Sequence, residues 1–278
     1  MASAAIDRAT VTSRDHDTDK HDTDKDGAIR AISRGLRVLQ AINRGGSITM
    51  MQICREAVIP YPTACRVIET LMKEGMVERE PARKRYRATA LVRTLSVGFQ
   101  DEDALVAVAR PHIVALCNRH GWPVSVATRV GHSMMVRDST HKLTSLTLAN
   151  YSPGYTLPII ECSTGKAYLA FCEPEERAAI LSGLRQLDGP AERLAALLLH
   201  DDSLLGAIRA SGYATQARNS YTAVPGKTSS IAVPLFKGDQ IRGSLALIFF
   251  AAAMPMARAE AMFVNDLRAT AAAITADL

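Results

Sequence analysis

Residues 49–74 constrain the fold more than any other stretch, because they predict two short helices joined by a turn that contains proline. Thr49 and Gln52 have the T-x-x-Q spacing of a capping box, which starts the first helix. Pro60 ends that helix, since proline has no backbone N–H and forces the preceding residue out of helical geometry. The second helix is predicted to restart near Pro62, in a first turn that tolerates proline, and to end at the next glycine.

The second predicted helix has an apolar face and a polar face. Ala64, Ile68 and Leu71 recur at helical spacing, so we expect them to face inward. The opposite face carries polar and basic side chains, which are Tyr61, Thr63, Arg66, Glu69, Thr70 and Lys73. This pattern is typical of a helix-turn-helix, whose second helix enters the major groove of DNA. Tyr61, Thr63 and Arg66 are then candidates for contacts with bases, and Thr70 and Lys73 for contacts with the backbone.

Charge is distributed unevenly along the 278 residues. Residues 1–27 carry 4 Lys and Arg against 7 Asp and Glu, whereas residues 28–95 carry 13 against 5. The remaining residues carry 16 of each. Positive charge is therefore concentrated on the segment that contains the helix pair. Such a distribution indicates a nucleic-acid-binding module, because phosphate contacts supply most of the non-specific affinity.

A helix is predicted before the helix pair and a β-hairpin after it. Residues 31–44 place Ile32, Leu36, Leu39 and either Ile42 or Val38 on one apolar stripe. Two short extended runs, 76–79 and 85–88, flank a basic turn. This order predicts a winged helix-turn-helix over residues 28–89. The wing carries basic residues that are placed to contact phosphates or a minor groove, and they are Arg79, Arg83, Lys84, Arg85 and Arg87. The alternative for this cluster is a solvated charge run.

The N-terminal segment, residues 1–27, is polar and contains HDTDK twice in tandem, so we expect a disordered tail. Asp22, Asp24 and Asp26 match the opening of a calcium loop, but Ser33 stands where the bidentate glutamate is needed. We therefore expect no metal site there.

Residues 90–104 predict a linker helix, and residues 105–278 a second domain. Its pattern gives a helix over 105–120, strands over 123–151 of which the third covers 145–151, and helical patterns over 163–171, 175–184 and 190–210. Two strands around a turn at 237–239 and a helix over 256–276 complete it. The overall class is α+β, with an antiparallel sheet and helices that can enclose a small ligand.

No catalytic or cofactor motif is present. Gly226-Lys227-Thr228 resembles the end of a phosphate-binding loop, but Tyr221 replaces the required upstream glycine. Neither G-x-S-x-G nor H-E-x-x-H occurs, and the histidines share no spacing. We expect no enzyme activity, no catalytic residues and no cofactor. Five cysteines without a C-x-x-C, and no apolar run of membrane-spanning length, indicate a cytoplasmic protein with reduced thiols and no membrane partner.

The order of motifs over residues 29–278 resembles the isocitrate-lyase-regulator (IclR) family of bacterial transcription factors. The motifs are SRGLRVLQAIN, IPYPTACRVIETLMKEGMVER, RYRAT, YTLPIIECSTGKAYLAF, GYA, SSIAVPLF and GSLALIFF. The resemblance implies an N-terminal winged helix-turn-helix, a linker helix and a C-terminal GAF-like domain that binds an effector. Two positions depart from the family pattern: Ala31 replaces a helix-capping serine, and Ser230 replaces a pocket cysteine.

The resemblance also implies where an effector binds. Ser163 and Thr164 lie at the start of a helix, where free N–H groups suit a carboxylate, and Ser230 opens a pocket strand. Gln216 and Arg218 follow the GYA motif and are further candidates for ligand contacts, with Arg218 able to hold an acid bidentately. The alternative for Arg218 is a surface salt bridge.

The function that this resemblance implies is control of a catabolic operon by a small organic acid. Within the family, the C-terminal domain resembles activators of aromatic-acid breakdown, which favours an aromatic effector. The expected partners are double-stranded operator DNA, a second copy of the chain in a homodimer or dimer of dimers, and RNA polymerase. The alternative is a GAF-type sensory or interaction protein whose helix-turn-helix is vestigial.

Overall fold

The computed structural model describes residues 29–81, 83–96, 104–149, 151–185 and 190–278. The predicted tail, residues 1–27, lies outside these residues. The chain divides into two compact units, Met1–Gly98 and Phe99–Leu278. In the described parts of the chain, no helix combines the length and the apolar character that crossing a bilayer requires.

Three helices and three short strands form the first unit. The helices are α1 (Arg30–Gly45), α2 (Met50–Ala57) and α3 (Tyr61–Lys73), and the strands are β1 (Ser47–Thr49), β2 (Val77–Arg79) and β3 (Arg85–Ala88). The strands form one antiparallel sheet in the order β1-β3-β2. The predicted winged helix-turn-helix fold is confirmed.

The predicted capping box is present at the start of α2. Thr49 Oγ1 accepts a hydrogen bond from the backbone N–H of Gln52 at 3.3 Å, and Gln52 Oε1 accepts one from the N–H of Thr49 at 2.8 Å. Val58 adopts a left-handed conformation with φ +53° and ends α2. α3 then begins at Tyr61, one residue before Pro62. The left-handed conformation of Val58 therefore begins the turn between the helices, and the first turn of α3 at Tyr61 and Pro62 ends it.

The predicted apolar stripe of α1 is wrong in its first half. Val38, Leu39 and Ile42 are buried in the core, but Ile32 and Leu36 are 58% and 53% exposed. The core of this small unit reaches only the C-terminal half of α1, so helical periodicity alone overestimated the buried face. Two apolar side chains are therefore left on the surface of the unit.

The linker also differs in part from its prediction. Residues 90–96 form a 3-10 helix rather than an α-helix, and residues 97–103 lie outside the described part of the chain. The hydroxyls of Thr94 and Ser96 donate hydrogen bonds to the carbonyls three residues earlier, Leu91 and Arg93. These bonds match the tighter three-residue repeat of a 3-10 turn.

The second unit is a six-stranded antiparallel sheet with helices on both faces. Its helices are α4 (Ala104–His120), α5 (Ser163–Phe171), α6 (Pro174–Arg185), α7 (Pro190–His200), α8 (Ser203–Ser211) and α9 (Met256–Ala276). Its strands are β4 (Val124–Val130), β5 (Ser133–Ser139), β6 (Thr156–Pro158), β7 (Ala214–Gln216), β8 (Thr228–Lys237) and β9 (Gln240–Phe250). Their order is β6-β5-β4-β9-β8-β7. The predicted α+β class is confirmed.

Alternation along the central strands separates two apolar cores. In β9, Leu245, Leu247 and Phe249 pack with α4 and α9, whereas Ala246 faces α5 and α8. Successive side chains of a strand point to opposite faces, so one strand supplies both layers. Small residues on the α5 side let that helix approach the sheet closely, and they are Ala127, Ala232 and Ala246.

Two predicted elements of this unit are wrong. Residues 145–149 form no strand; Thr144 and Thr147 instead make local hydrogen bonds with nearby backbone, and the third strand is β6. The helix predicted over 190–210 is broken after His200. Asp201 Oδ1 accepts a hydrogen bond from the N–H of Ser203 at 2.8 Å, which competes with helical hydrogen bonding and restarts the chain as α8.

Gly165 in α5 is expected to tolerate no side chain. A Cβ there would lie 1.8 Å from the carbonyl oxygen of Ile159, which is backbone and cannot rotate away. We expect Gly165→Ala to lower the free energy of unfolding by about 1–3 kcal/mol. Urea unfolding followed by the fluorescence of Trp122 measures it, because this is the chain's single tryptophan and it is buried in the second unit.

The matched control is Gly206→Ala in α8, where the nearest atom to an added Cβ is 3.7 Å away. That change should raise stability by about 0.5–1 kcal/mol, because alanine is the better helix former. Equal effects of the two substitutions would contradict the close contact between α5 and the backbone at Ile159.

Candidate nucleic-acid interface and effector cavity

The outer face of α3 is the first candidate site. Tyr61 is half exposed at the first helical position, and Arg66, Thr70 and Lys73 are exposed further along. Thr63, Arg66 and Thr70 line one surface cleft together with Arg34 of α1. The Thr70 hydroxyl donates a hydrogen bond to the Arg66 carbonyl at 3.0 Å, so its remaining capacity is as an acceptor. Three of the predicted side chains, Thr63, Arg66 and Thr70, therefore share one polar, basic surface, and Tyr61 and Lys73 lie outside this cleft.

The basic residues of the wing fall into two groups. Arg79, Arg83 and Lys84 are exposed, and none of them forms an ion pair among the described residues. Arg85 instead holds β3 against β1, because its Nη2 donates to the Ser47 carbonyl at 2.6 Å.

Arg87 belongs to the second group. Its Nε donates to Glu78 Oε1 at 2.5 Å across the β2–β3 pair. Both side chains are about half exposed, and an exposed pair of this kind contributes little to stability, about 0–1 kcal/mol. Three of the five predicted wing cations are thus available to an external anion without first breaking an internal contact.

A cavity of about 50 Å³ lies in the second unit, between the sheet and the start of α5. Its polar lining includes hydroxyl and amide side chains from several elements: Ser125, Ser163, Thr164, Asn219, Thr228 and Ser230. Among the described residues that line it, none is Asp, Glu, Lys or Arg. An anionic ligand would therefore be held by neutral donors and by the backbone N–H groups of Ser163 and Thr164, which have no intrahelical acceptor.

The start of α5 is fixed to the sheet by hydrogen bonds. Ser163 Oγ lies 2.7 Å from Ser230 Oγ of β8, and Ser244 Oγ of β9 donates to the Thr164 carbonyl at 2.8 Å. Cys162 caps the helix, because its Sγ accepts a hydrogen bond from the N–H of Gly165. The structure thus brings three predicted effector residues, Ser163, Thr164 and Ser230, to one wall of the cavity.

The other two predicted effector residues are outside this wall. Gln216 Oε1 accepts a hydrogen bond from Lys166 Nζ at 2.7 Å, and Arg218 is exposed. Arg218 has φ +43°, a left-handed conformation that turns the chain after β7. The next residue, Asn219, is buried in the cavity lining instead. Sequence position alone gave no sign of this turn, because left-handed geometry is uncommon for arginine.

Two aromatic side chains of the cavity were missed by the sequence reasoning. His141 is 2% exposed, and Tyr151 packs edge-on against it with ring centroids 4.8 Å apart. Burial lowers the pKa of His141 to about 4, so the ring is neutral near pH 7. The sequence offered one indication of a role for His141, which is its position just after β5. An isolated histidine in a loop, however, has no spacing to other residues that would identify it as a site residue.

Comparison with known families agrees with this architecture. Residues 100–276, more than half of the chain, match the family of the bacterial transcriptional regulator IclR C-terminal domain. Residues 36–88, which include α2, α3 and the wing, match the MarR family.

Individual proteins are similar as well. The HTH-type transcriptional regulator TsaQ1/TsaQ2 of Comamonas testosteroni is 27% identical over 161 residues, which cover 58% of each chain. The chain thus spans little more than half the length of this relative.

Solved structures show the same fold. An IclR family transcriptional regulator from Brucella abortus has a TM-score of 0.61 at 22% identity, covering 91% of this chain and 94% of that one. An IclR homolog from Microbacterium hydrocarbonoxydans, complexed with 4-hydroxybenzoate, has a TM-score of 0.60 at 24% identity, covering 89% and 98%. These structures share the fold, and the match over residues 100–276 shows that the chain belongs to the IclR family of bacterial transcriptional regulators.

Proposed function

We propose that the chain is a ligand-responsive transcriptional regulator of a catabolic operon. Its winged helix-turn-helix domain, residues 28–89, binds operator DNA, and its effector domain, residues 105–278, binds a small organic acid. The observation that carries the proposal is the uncharged, largely apolar cavity with a few hydroxyl and amide groups at the start of α5, in a chain whose other unit has a basic winged helix-turn-helix. A ligand that binds one arrangement of the subunits more tightly than another would change DNA occupancy or recruitment of RNA polymerase.

An aromatic acid is the proposed effector class. The similar structure that contains 4-hydroxybenzoate supports this choice. The cavity measures about 50 Å³, whereas a cavity that holds benzene measures about 150 Å³. His141 and Tyr151 also line a second cleft of about 190 Å³. Movement of the Tyr151 ring, with His141 held in place, would join the two spaces and make room for an aromatic ring.

A homodimer or dimer of dimers is the proposed assembly. Palindromic operators are bound by symmetric dimers, so each half-site receives one copy of α3. Exposed apolar side chains at the N-cap and in the N-terminal half of α1 support a contact between subunits, and they are Ile29, Ile32 and Leu36. Isolated apolar side chains are common on surfaces, but three on one short helical segment form a patch that association would bury.

Ligand binding can be tested by thermal shift with benzoate, 4-hydroxybenzoate, butyrate and 4-hydroxybutyrate. An acid that binds the folded cavity stabilises it by about 2.7 kcal/mol at a concentration 100-fold above its Kd, so the melting temperature should rise. Ser163→Ala, in the cavity wall, should reduce this rise. Gln216→Ala, outside the wall, should leave it unchanged. If no acid raises the melting temperature, the cavity is not an effector site for this class.

A further inference from the structure

His141 and Tyr151 carry polar atoms that are buried without a hydrogen-bond partner among the described residues. The atoms are His141 Nε2 and the Tyr151 hydroxyl oxygen. Both residues line the cavity. Buried polar atoms in folded proteins are almost always paired, so two unpaired atoms at one cavity point to a ligand.

The His141 ring is held in place by a chain of contacts. Arg110 of α4 donates to Asp138 Oδ1 at 2.9 Å, and the same oxygen accepts the backbone N–H of Ser139 at 2.7 Å. Ser139 Oγ lies 2.5 Å from His141 Nδ1 and accepts the N–H of His141 at 3.2 Å. Nδ1 is therefore engaged, and the orientation of Nε2 is fixed in advance of binding.

The Tyr151 hydroxyl has no such contact. The hydroxyl of Thr222 also lines the cavity. This Thr222 hydroxyl donates its proton to the carbonyls of Asn219 and Val224, at 3.3 Å and 3.0 Å. Burial raises the pKa of Tyr151, and hydrogen-bonding groups of Thr222, Ala223 and Val224 close to the phenol, outside good hydrogen-bond geometry, only partly oppose that rise. Tyr151 therefore remains a neutral phenol, with one proton to donate and lone pairs to accept.

A hydroxyl group on the ligand matches both atoms. A neutral imidazole uses Nε2 either as a donor or as an acceptor, according to its tautomer, and a phenol can do both. A ligand hydroxyl also donates and accepts, so it fits either tautomer of His141 while bonding Tyr151. A carboxylate only accepts, and it would require both atoms to be donors.

The carboxylate of the same ligand has a separate place. Ser163, at the start of α5, contacts Ser230 of β8, whereas His141 follows β5. β5 and β8 are separated by β4 and β9 in the sheet, so His141 and Ser163 contribute to the cavity lining from different strands. A ligand that reaches both ends of the cavity therefore carries its hydroxyl away from its carboxylate.

We propose that His141 and Tyr151 select an effector with a hydroxyl group distant from its carboxylate. This inference rests on the proposed effector role of the cavity. It identifies the substituent that the pair recognises and makes the two rings specificity-determining residues. A site built around a ligand hydroxyl discriminates strongly against the analogue that lacks it, because the buried polar atoms of the protein are then unpaired.

Isothermal titration of the full chain with two matched pairs of acids tests the inference. The pairs are 4-hydroxybenzoate with benzoate and 4-hydroxybutyrate with butyrate. We expect the hydroxylated member of at least one pair to bind at least ~10-fold more tightly. Tyr151→Phe removes only the hydroxyl, and it should reduce the ratio within that pair to about 1–2. His141→Asn should reduce it as well.

Tyr155→Phe is the matched control, because Tyr155 packs edge-on against Tyr151 but is not part of the cavity lining. It should keep the wild-type ratio. Equal binding of both members by the wild type, or a ratio that survives Tyr151→Phe and His141→Asn, would overturn the hydroxyl selection and leave the effector role standing. Failure of all four acids to bind would overturn both proposals.

Discussion

Replacing Arg83 and Lys84 by glutamate is expected to weaken binding to any DNA duplex by about two orders of magnitude at ~0.1 M salt. Each phosphate contact contributes roughly 0.9 to the slope of log K against log salt, so two lost contacts reduce that slope by about 2. These residues suit the test because both are exposed and form no ion pair in the described parts of the chain. Reversing Arg85 would instead break its hydrogen bonds to β1.

Fluorescence anisotropy of a labelled mixed-sequence duplex, titrated at several salt concentrations, measures this effect without knowledge of the operator. The control is the double variant Lys237→Glu and Arg258→Glu, which changes the net charge equally on exposed positions of the second unit. The control should bind DNA nearly as the wild type does. If the two double variants weaken binding equally, only net charge matters and the wing does not contact phosphates.

Arg66→Ala provides the contrast within the first unit. A side chain that reads a base contributes about 1–3 kcal/mol at its own position, whereas a phosphate contact acts on all sequences alike. A duplex selected by the wild-type protein from a random pool supplies the specific site. Equal losses on selected and random duplexes would remove Arg66 from base recognition. A wild type without salt-dependent DNA binding would favour a vestigial helix-turn-helix.

Acidification is expected to destabilise the second unit by about 3 kcal/mol between pH 6.5 and pH 4, through His141. The pKa of this histidine falls from 6.5 to about 4 on folding, because burial disfavours the charged ring. The unfolded chain therefore binds the proton first, and unfolding takes up a proton in this window. The contribution of neutral His141 to the free energy of unfolding is fully present above pH 6.5. It declines as the pH falls below 6.5 and is lost near pH 4.

Urea unfolding at several pH values, followed by the fluorescence of Trp122, measures this dependence in the unit that contains His141. His141→Asn has no titrating ring and should show a flatter profile across the window. Asp266 does not obscure the result. Burial raises its pKa, but hydrogen bonds from His120 and Arg119 outweigh that effect and lower the pKa below 3.8, so its stabilisation is lost at lower pH. Parallel profiles for wild type and variant would contradict the burial of a neutral ring.

Local rules predicted the first unit well, because its structure depends on short-range contacts. The T-x-x-Q spacing specified the start of α2, whereas the helix ends at Val58, two residues before Pro60, which instead precedes α3. The errors arose where burial depends on the size of the core rather than on periodicity. Ile32 and Leu36 keep a helical repeat, but the core of the unit does not extend to them.

The cavity was predictable only in part, because its residues are brought together by the sheet. Motif resemblance found Ser163 and Ser230, which lie on different elements and meet at 2.7 Å. The resemblance predicted Arg218 as a ligand contact. In the structure the chain turns at Arg218, and the neighbouring Asn219 is the buried residue. His141 was set aside as one isolated histidine, since its burial and its unpaired nitrogen follow from tertiary packing alone.

The pairing of β4 with β9 at the centre of the sheet also determines the order in which the chain can fold. Val124 pairs with Leu247, so the two hairpins β4–β5 and β8–β9 join only after nearly the whole chain has been synthesised. Non-local pairing of this kind is slow, and an unpaired strand edge exposes the nascent chain to aggregation. The winged unit needs only contacts within the first 98 residues. On the ribosome it can fold first, while the ligand-binding sheet must wait for β9.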